Sequence, residues 1–377
     1  MKRKLLFCFI CLLALQVAKA QRKVEFDGQA SAFGSYSPDN QLPLFSGGRY
    51  IPELNYGVEL DSGKAFEFEA SVNIAGSVFF QPFDAASWNG NISPYRLWGR
   101  YTGKQFEVRA GLQKIDFGVA TLLRPLQWFN QIDPRDPLQL TNGVYGLLGR
   151  YYFLNNANIW LWGLYGNEKA RGLDASETYA KHPEYGGRFQ YPVPRGEIAL
   201  SYHHRTADSR TLVDAPQFEQ VPEDRYGLDG KWDVGIGLWF EVSHIHKREN
   251  LGALTNQTLL NVGADYTFGI GSGLNVVAEH LIMGYDSEAV GFDNRSHITA
   301  ATLAYPLGFF DHISTIFYYN WPTADFTFFF NYEHQFNKLV GYIMPYYSPP
   351  VQQGIQENNL VNATSGPGLR LMLVYNH

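Results

Sequence analysis

Cysteine is almost absent from this chain of 377 residues: there are two, Cys8 and Cys11, and both lie in the apolar run of the first twenty residues. A basic start, this short apolar run and small residues up to Ala20 predict a secretory signal peptide, residues 1–20. The exported chain then contains no cysteine. Disulfides, thiolate metal sites and cysteine nucleophiles are therefore excluded from it.

Charge and long apolar runs are also scarce. Charged residues make up 18% of the chain, whereas aromatic residues reach 16%. No second apolar run approaches the ~20 residues of a membrane-spanning helix. Loss of residues 1–20 removes four of 30 basic residues and none of 36 acidic ones, so 26 basic residues remain and the net charge is −10. A chain without a basic face predicts no nucleic-acid partner.

What the sequence does contain is alternation of apolar and polar residues in segments that recur about every twenty residues. A cysteine-free, aromatic-rich exported chain with this pattern is either a large soluble β-protein or a membrane barrel. We read the segments at 24–36, 48–60, 65–80, 94–102, 105–113, 143–154, 158–166, 185–191, 196–206, 224–233, 237–247, 258–268, 274–284, 295–305, 311–320, 325–334, 338–347 and 368–376.

The connections between these segments favour the membrane barrel. Short turns of three to five residues alternate with longer connections, among them 81–92 and 114–142, and only 321–324 breaks the rule. Outer-membrane barrels have short periplasmic turns and long outer loops, whereas a soluble sandwich has no reason for this alternation. We therefore predict an all-β fold, a transmembrane antiparallel up-and-down β-barrel of about 18 strands, with 16 as the alternative count, in one domain over residues 21–377.

The two faces of the segments agree with this prediction. In segment 65–80, Phe66 and Val72 fall on one face, and Glu67 and Glu69 fall on the other. A lipid-facing surface and a wet lumen explain both faces, since unpaired charges are too costly for a dry core. The alternation blurs in three segments, 158–166, 295–305 and 311–320.

The connection 114–142 is unusually long, and connections of this length are uncommon unless they have a function. Its Asp-Pro steps predict a stiff, folded loop. RAGLQKIDFG (109–118) followed by LLRPLQWFNQIDPRDPLQLT (122–141) resembles the strand-and-loop signature of alginate-export-type outer-membrane porins. The resemblance implies that 114–142 folds inward and narrows the pore, and it implicates Arg109, Gln113, Asp116, Arg124, Asp133, Arg135 and Asp136. No motif on other strands aligns, so the family's substrate is not carried over.

Two interpretations of the arginines in this region remain open. In the first, the loop and lumen arginines form a basic wall that selects solutes by charge and faces acidic residues across the lumen. In the second, Arg135 pairs with Asp133, Asp136 or Asp116, and the loop braces the barrel. The basic wall comprises Arg124, Arg135, Arg96, Arg100, Arg109 and Arg150, and the acidic residues are Glu53, Glu59, Glu67 and Glu69.

Histidines and serines offer weaker signals. One strand is expected to lie between the strand of His203 and His204 and the strand of His244 and His246. The two pairs would then be about 10 Å apart, which is too far for direct shared metal ligation. Ser201 lies near His203 in sequence, but no nucleophile elbow accompanies them. We therefore expect no metal, no cofactor and no enzymatic activity.

Together these features predict a porin in the outer membrane of a Gram-negative bacterium, a passive channel for small hydrophilic solutes, including anionic ones. The alternatives are a dedicated transporter of an anionic oligosaccharide, an outer-membrane hydrolase and a closed scaffold barrel. The expected partners are outer-membrane lipid and the transported solutes. The oligomeric state is left open.

Overall fold

The structure, a computed structural model, describes residues 21–60, 63–212, 215–289, 291–292, 294–349 and 365–377. The predicted signal peptide lies outside these residues. Helix is almost absent from the described ranges, where a four-residue 3₁₀ turn, Gly252–Thr255, is the one helical segment. No helix in them is long and apolar enough to cross a membrane.

The other regular secondary structure in the described residues is β-strand. The strands are β1 (Gln21–Tyr36), β2 (Leu44–Leu60), β3 (Lys64–Phe80), β4 (Ala86–Thr102), β5 (Phe106–Gln113), β6 (Val144–Tyr152), β7 (Asn158–Leu164), β8 (Glu177–Thr178), β9 (Glu184–Val193), β10 (Gly196–Asp208), β11 (Val221–Asp233), β12 (Gly237–Lys247), β13 (Asn256–Phe268), β14 (Leu274–Asp286), β15 (Asn294–Pro306), β16 (Asp311–Asn320), β17 (Asp325–Gln335), β18 (Leu339–Ser348) and β19 (Gly366–Asn376).

These strands form one closed antiparallel sheet. Each long strand pairs with its neighbours along the chain, and β1 also pairs with β19, for example Gln29 with Asn376, so the sheet has no free edge. The two-residue β8 only extends the end of β10, and β7 pairs directly with β9. The barrel therefore has eighteen strands, which confirms the predicted fold class. Closure lets the backbone N–H and C=O groups of each strand pair with a neighbouring strand, so no strand edge is exposed.

One predicted connection is wrong. Residues 81–92 were expected to form a long loop, but β4 begins at Ala86 and pairs with β3 in register from Phe80 onward. The polar residues of this stretch resemble a loop in sequence because they face a polar lumen. A register shift beside Pro94 marks a bulge, where a proline without an N–H is tolerated.

The two faces of the sheet differ as the alternation predicts. Phe66, Val72 and Leu228 are exposed on the outside. Where the alternation blurs, the inward residues are themselves apolar: Trp162 and Ile298 are buried in clusters with residues of the segment 114–142. The lumen wall is therefore polar where it meets water and apolar where chain packs against it.

This face assignment predicts unequal effects of arginine at neighbouring positions in the middle of β3. Val72→Arg should destabilise the barrel by ~2–4 kcal/mol because the charge meets lipid near the membrane centre. Asn73→Arg, which points into the lumen, should be tolerated. Folding titrations into lipid vesicles would measure both, and equal losses at the two positions would contradict the assignment.

Candidate functional site

The segment 114–142 leaves the end of β5 and reaches the inward side of β12. Gly118 has a φ of 100°, and a Cβ there would lie 2.3 Å from the Glu241 carboxylate, so this position requires glycine. Directly after it, the amides of Val119 and Ala120 donate to Glu241 Oε1, the latter at 2.7 Å. The amide of Leu126 donates to the other oxygen at 3.2 Å. One buried carboxylate thus accepts three backbone donors.

A second buried carboxylate, Glu279 on β14, accepts the next three amides. Thr121 donates to it from both its amide and its hydroxyl, at 2.7 and 2.9 Å. The amides of Leu122 and Leu123 donate to its other oxygen at 3.1 and 2.6 Å. Asn261 on β13 donates to the Leu123 carbonyl at 2.7 Å. Because β12 to β14 lie six to eight strands from β5 in the 18-strand ring, these contacts span the lumen.

Apolar packing holds the same segment against the nearer wall. Phe117 stacks on Trp162 of β7 with ring centroids 5.6 Å apart. On the far side of the lumen, Trp128 donates its indole N–H to Ser243 of β12 at 3.0 Å. Phe129 packs edge-on against Trp162 at 5.3 Å. The buried cluster consists of Ile115, Phe117, Leu126, Trp128, Phe129, Val144, Leu148, Trp162 and Leu164. This part of the lumen is filled by a buried apolar core.

A second connection, residues 165–183, also packs against the lumen side, and no pattern in the sequence predicted this inward packing. Gly172 packs on Gln127 so closely that a Cβ would lie 1.8 Å from the Gln127 carbonyl oxygen. Gln131 donates to the Gly172 carbonyl at 3.2 Å. The two connections therefore pack on each other. Their backbone contacts leave little trace in sequence, which is why the pattern did not reveal them.

Buried ion pairs fix this second connection to the wall. Asp174 lies 3.0 Å from Arg205 on β10 and 2.7 Å from Arg225 on β11, and Glu223 contacts both arginines. Nearby, Arg171 pairs with Glu184 at 2.5 Å. All of these side chains are almost fully buried. Charged residues at successive inward positions of β10 and β11, near a connection that carries both acidic and basic residues, were the available sequence signal.

The two loop arginines implicated by sequence are each paired within the loop. Arg124 donates to Asp116 at 2.7 Å, and Arg135 contacts Asp133 through two hydrogen bonds, at 3.0 and 2.8 Å. Burial alone would raise the pKa of Asp116, but Arg124 and Lys114 outweigh it and the pKa lies below its ordinary value. Burial likewise opposes the charge of Arg135, yet Asp133 raises its pKa. These pairs match the bracing interpretation.

Arg96 and Gln113 hold the ends of the loop. Arg96 is buried and donates to the carbonyls of Thr141 at 2.9 Å and Tyr95 at 2.7 Å. Gln113 is buried and donates to the carbonyls of Arg109 and Gly146 at 3.2 and 3.0 Å. Both side chains are therefore occupied by backbone acceptors where the loop joins β4, β5 and β6.

The remaining arginines gather near the short turns. Arg150 donates to Glu107 at 3.0 Å, and Arg100 and Arg109 lie 4.0 and 3.9 Å from the same carboxylate. The predicted arrangement of a basic wall facing an acidic wall across the lumen is wrong for these residues. Arg100 donates a hydrogen bond to Glu67 at 2.6 Å. Since β3 and β4 are neighbours in the sheet, the two charges adjoin side by side.

Asp136 lies in a different environment from Asp133. Leu138 donates its amide to Asp136 at 3.0 Å, and burial together with the nearby Asp133 raises the pKa of the Asp136 carboxyl. Asp136 lines a cavity of about 340 Å³ between the end of the loop and the wall that includes β2, β3 and β4. This cavity lies in the part of the lumen that the two connections do not fill.

The histidines at 203, 204, 244 and 246 do not form one cluster. β11 separates His203 and His204 from His246, as expected from the strand order. His203 is buried, accepts from the Trp162 indole at 3.1 Å and contacts Glu184 at 3.2 Å, so both of its ring nitrogens are engaged away from Ser201. In the described ranges, no group of three or more candidate ligands could hold a metal ion.

The closed barrel and its inward connections define the class of fold, that of bacterial outer-membrane porins. The chain is similar to Pseudomonas aeruginosa OpdQ, at 10% identity over 95% of this chain and 98% of that one, with a TM-score of 0.57. The outer-membrane protein OmpT of Vibrio cholerae, in its trimer form, gives 9% identity, 94% and 99% coverage and a TM-score of 0.52.

Salmonella typhi OmpF, solved in complex with daunomycin, covers 94% of this chain and 98% of its own at 8% identity, with a TM-score of 0.51. These likenesses concern the fold. No protein-family model and no curated protein matches the chain. The resemblance to alginate-export-type porins therefore stays a prediction.

The amide contacts predict that Glu279 is essential for docking the loop. Glu279→Ala should destabilise the docked loop by several kcal/mol, because each buried amide left without an acceptor costs about 1–3 kcal/mol. Thermal unfolding, and protease cleavage between residues 114 and 142, would measure the loss. Glu59→Ala, at an exposed position of β2, is the control. Equal protease resistance of the two variants would show that these hydrogen bonds do not hold the loop.

Proposed function

We propose that this chain is a porin-type channel of the Gram-negative outer membrane that passes small hydrophilic solutes, anionic ones included, by diffusion. In this proposal residues 1–20 direct export, residues 21–377 form the barrel and 114–142 narrow its lumen. The ten residues implicated by sequence divide into two roles. Arg96, Gln113, Asp116, Arg124, Asp133 and Arg135 position the loop, whereas Arg100, Arg109, Arg150 and Asp136 set the charge of the path.

The observation that carries the proposal is the pair of carboxylates, Glu241 and Glu279, which hold one connection across a closed barrel while leaving a polar cavity beside it. A barrel closed only for structural purposes has no need for a cavity lined by amide, hydroxyl and charged groups. Burial of such groups without water or solute is costly. A narrowed, wet path explains them.

The outer face supports the membrane location. Aromatic and aliphatic side chains such as Phe106, Leu161 and Phe189 are exposed on the outside of the barrel. A soluble protein does not present apolar surface around a whole sheet, since large exposed patches aggregate or bind. Lipid around the strands and solute within the lumen are the partners that this distribution of residues fits.

Three alternatives make different predictions in the same assay. A dedicated transporter of an anionic oligosaccharide would conduct ions and be blocked by that oligosaccharide. A scaffold barrel would not conduct. A hydrolase based on Ser201 would need a nearby base, but His203 is bonded to Trp162 and Glu184. We therefore propose no catalytic role.

Conductance across a planar lipid bilayer tests the channel, and Arg109 tests the charge of its path. Arg109 makes a long ion pair with Glu107, at 3.9 Å, and its guanidinium lies over the Trp98 ring, 4.6 Å from the centroid. Arg109→Gln should move the reversal potential in a salt gradient toward cations, more strongly below 0.1 M salt, where the screening length exceeds about 10 Å.

Lys104→Gln removes the same charge from the adjacent exposed turn and is the matched control. It should shift the reversal potential less than Arg109→Gln does. Equal shifts would mean that the arginine cluster does not border the ion path. A refolded barrel that carries no current would reject the channel and favour the scaffold.

A further inference from the structure

The cavity beside the loop contains an arginine that differs from all the loop arginines. Arg49 projects from β2 into this cavity, and its buried Nε has no hydrogen-bond partner. Within the described part of the chain, no carboxylate lies at ion-pair distance from Arg49. Asp136 interacts with it by a longer-range electrostatic attraction. Arg124 and Arg135, by contrast, each have their own aspartate. A guanidinium presents a planar fork that matches a carboxylate or phosphate.

Polar side chains line the neighbouring wall of the cavity in a regular ladder. Asn73 pairs across the sheet with Ser93, and the next inward position on β4 is Asn91, followed by Asn89 opposite Ser77. The side-chain oxygen of Asn73, Oδ1, is buried and has no hydrogen-bond partner among the described residues. Amides and hydroxyls both donate and accept, so this ladder is suited to a ligand with several hydroxyl groups.

The charges around the cavity favour an anionic ligand. Three cations line it, Arg49, Arg370 and Lys169, together with two carboxylates, Asp133 and Asp136. Asp133 is already neutralised by its pair with Arg135, so Asp136 is the one lining carboxylate that offsets the three cations. Positive charge is therefore in excess, and a negatively charged ligand fits the cavity better than a neutral one. The cavity volume of about 340 Å³ falls in the range of small-molecule sites, about 300–1,000 Å³.

We propose that this cavity is a binding site for small polyhydroxylated carboxylates, with a carboxylate on Arg49 and the hydroxyls on Asn73 and the β3–β4 ladder. The inference rests on the proposed channel function, because the site lies in the lumen. It adds a substrate class and names the residue that selects it. A resident solute of this kind would leave by exchange with water, as a path for diffusion requires.

Three ligands with the same six-carbon chain separate the contributions. D-gluconate has one carboxylate, sorbitol has none and glucarate has two. Calorimetric titration of the refolded protein in detergent should show gluconate and glucarate each binding at least tenfold more tightly than sorbitol. Arg49→Gln should abolish the difference in affinity between gluconate and sorbitol. Arg49→Lys, which keeps the charge and loses the fork, should weaken gluconate binding by a smaller factor.

Arg210→Gln is the control, because Arg210 lies in an exposed connection and pairs with Asp208. It should leave gluconate binding unchanged. Equal affinity for gluconate and sorbitol, or full gluconate affinity in Arg49→Gln, would overturn the proposal. If Arg49→Gln does not refold, as judged by heat-dependent electrophoretic mobility, Arg49→Lys carries the test.

Calorimetry also separates this inference from the channel itself, because binding in detergent requires no current. Gluconate binding that depends on Arg49 in a barrel that does not conduct would reject the channel and retain the site. Conductance without selective gluconate binding would retain the channel and reject the site.

Discussion

A backbone that enters the lumen of a barrel must find hydrogen-bond acceptors there, and the rest of this structure depends on how that need is met. Strand pairing uses the acceptors of the wall, so the donors of residues 119–126 rely on side chains. Glu241 and Glu279 supply them, each accepting three backbone amides. The amides in turn stabilise two buried carboxylates that would otherwise be costly.

This arrangement divides the lumen into two unlike parts. On the side of β6, β7 and β12 to β15, the connection packs its leucines and aromatics against inward apolar residues, and buried ion pairs around Asp174 anchor a second connection. On the side of β1 to β4, the wall stays polar and borders a cavity. The long β2, β3 and β4, of seventeen residues each, provide a tall wall for that cavity.

Most of the fold follows from sequence because alternation is a local signal. All eighteen predicted segments are strands, and the blurred ones have an apolar inward face that the loop covers, as Trp162 and Ile298 illustrate. The partners of the loop could not be predicted. Glu241 and Glu279 alternate like any lumen residue, and nothing local shows that they accept amides from more than a hundred residues away. Arg49 also alternates like any lumen residue, so the sequence did not distinguish it from the other inward arginines.

The central claim is that residues 114–142 narrow a conducting barrel, and single-channel conductance of a loop-deleted variant tests it most directly. Replacing residues 126–138 with a short Gly-Ser linker removes the indole and leucine contacts and should raise the conductance, because a stiff segment obstructs ions across the lumen. A deletion of similar size in the outer connection 209–220 should not raise it. Unchanged conductance after the first deletion would contradict the claim, since the segment would then lie outside the ion path.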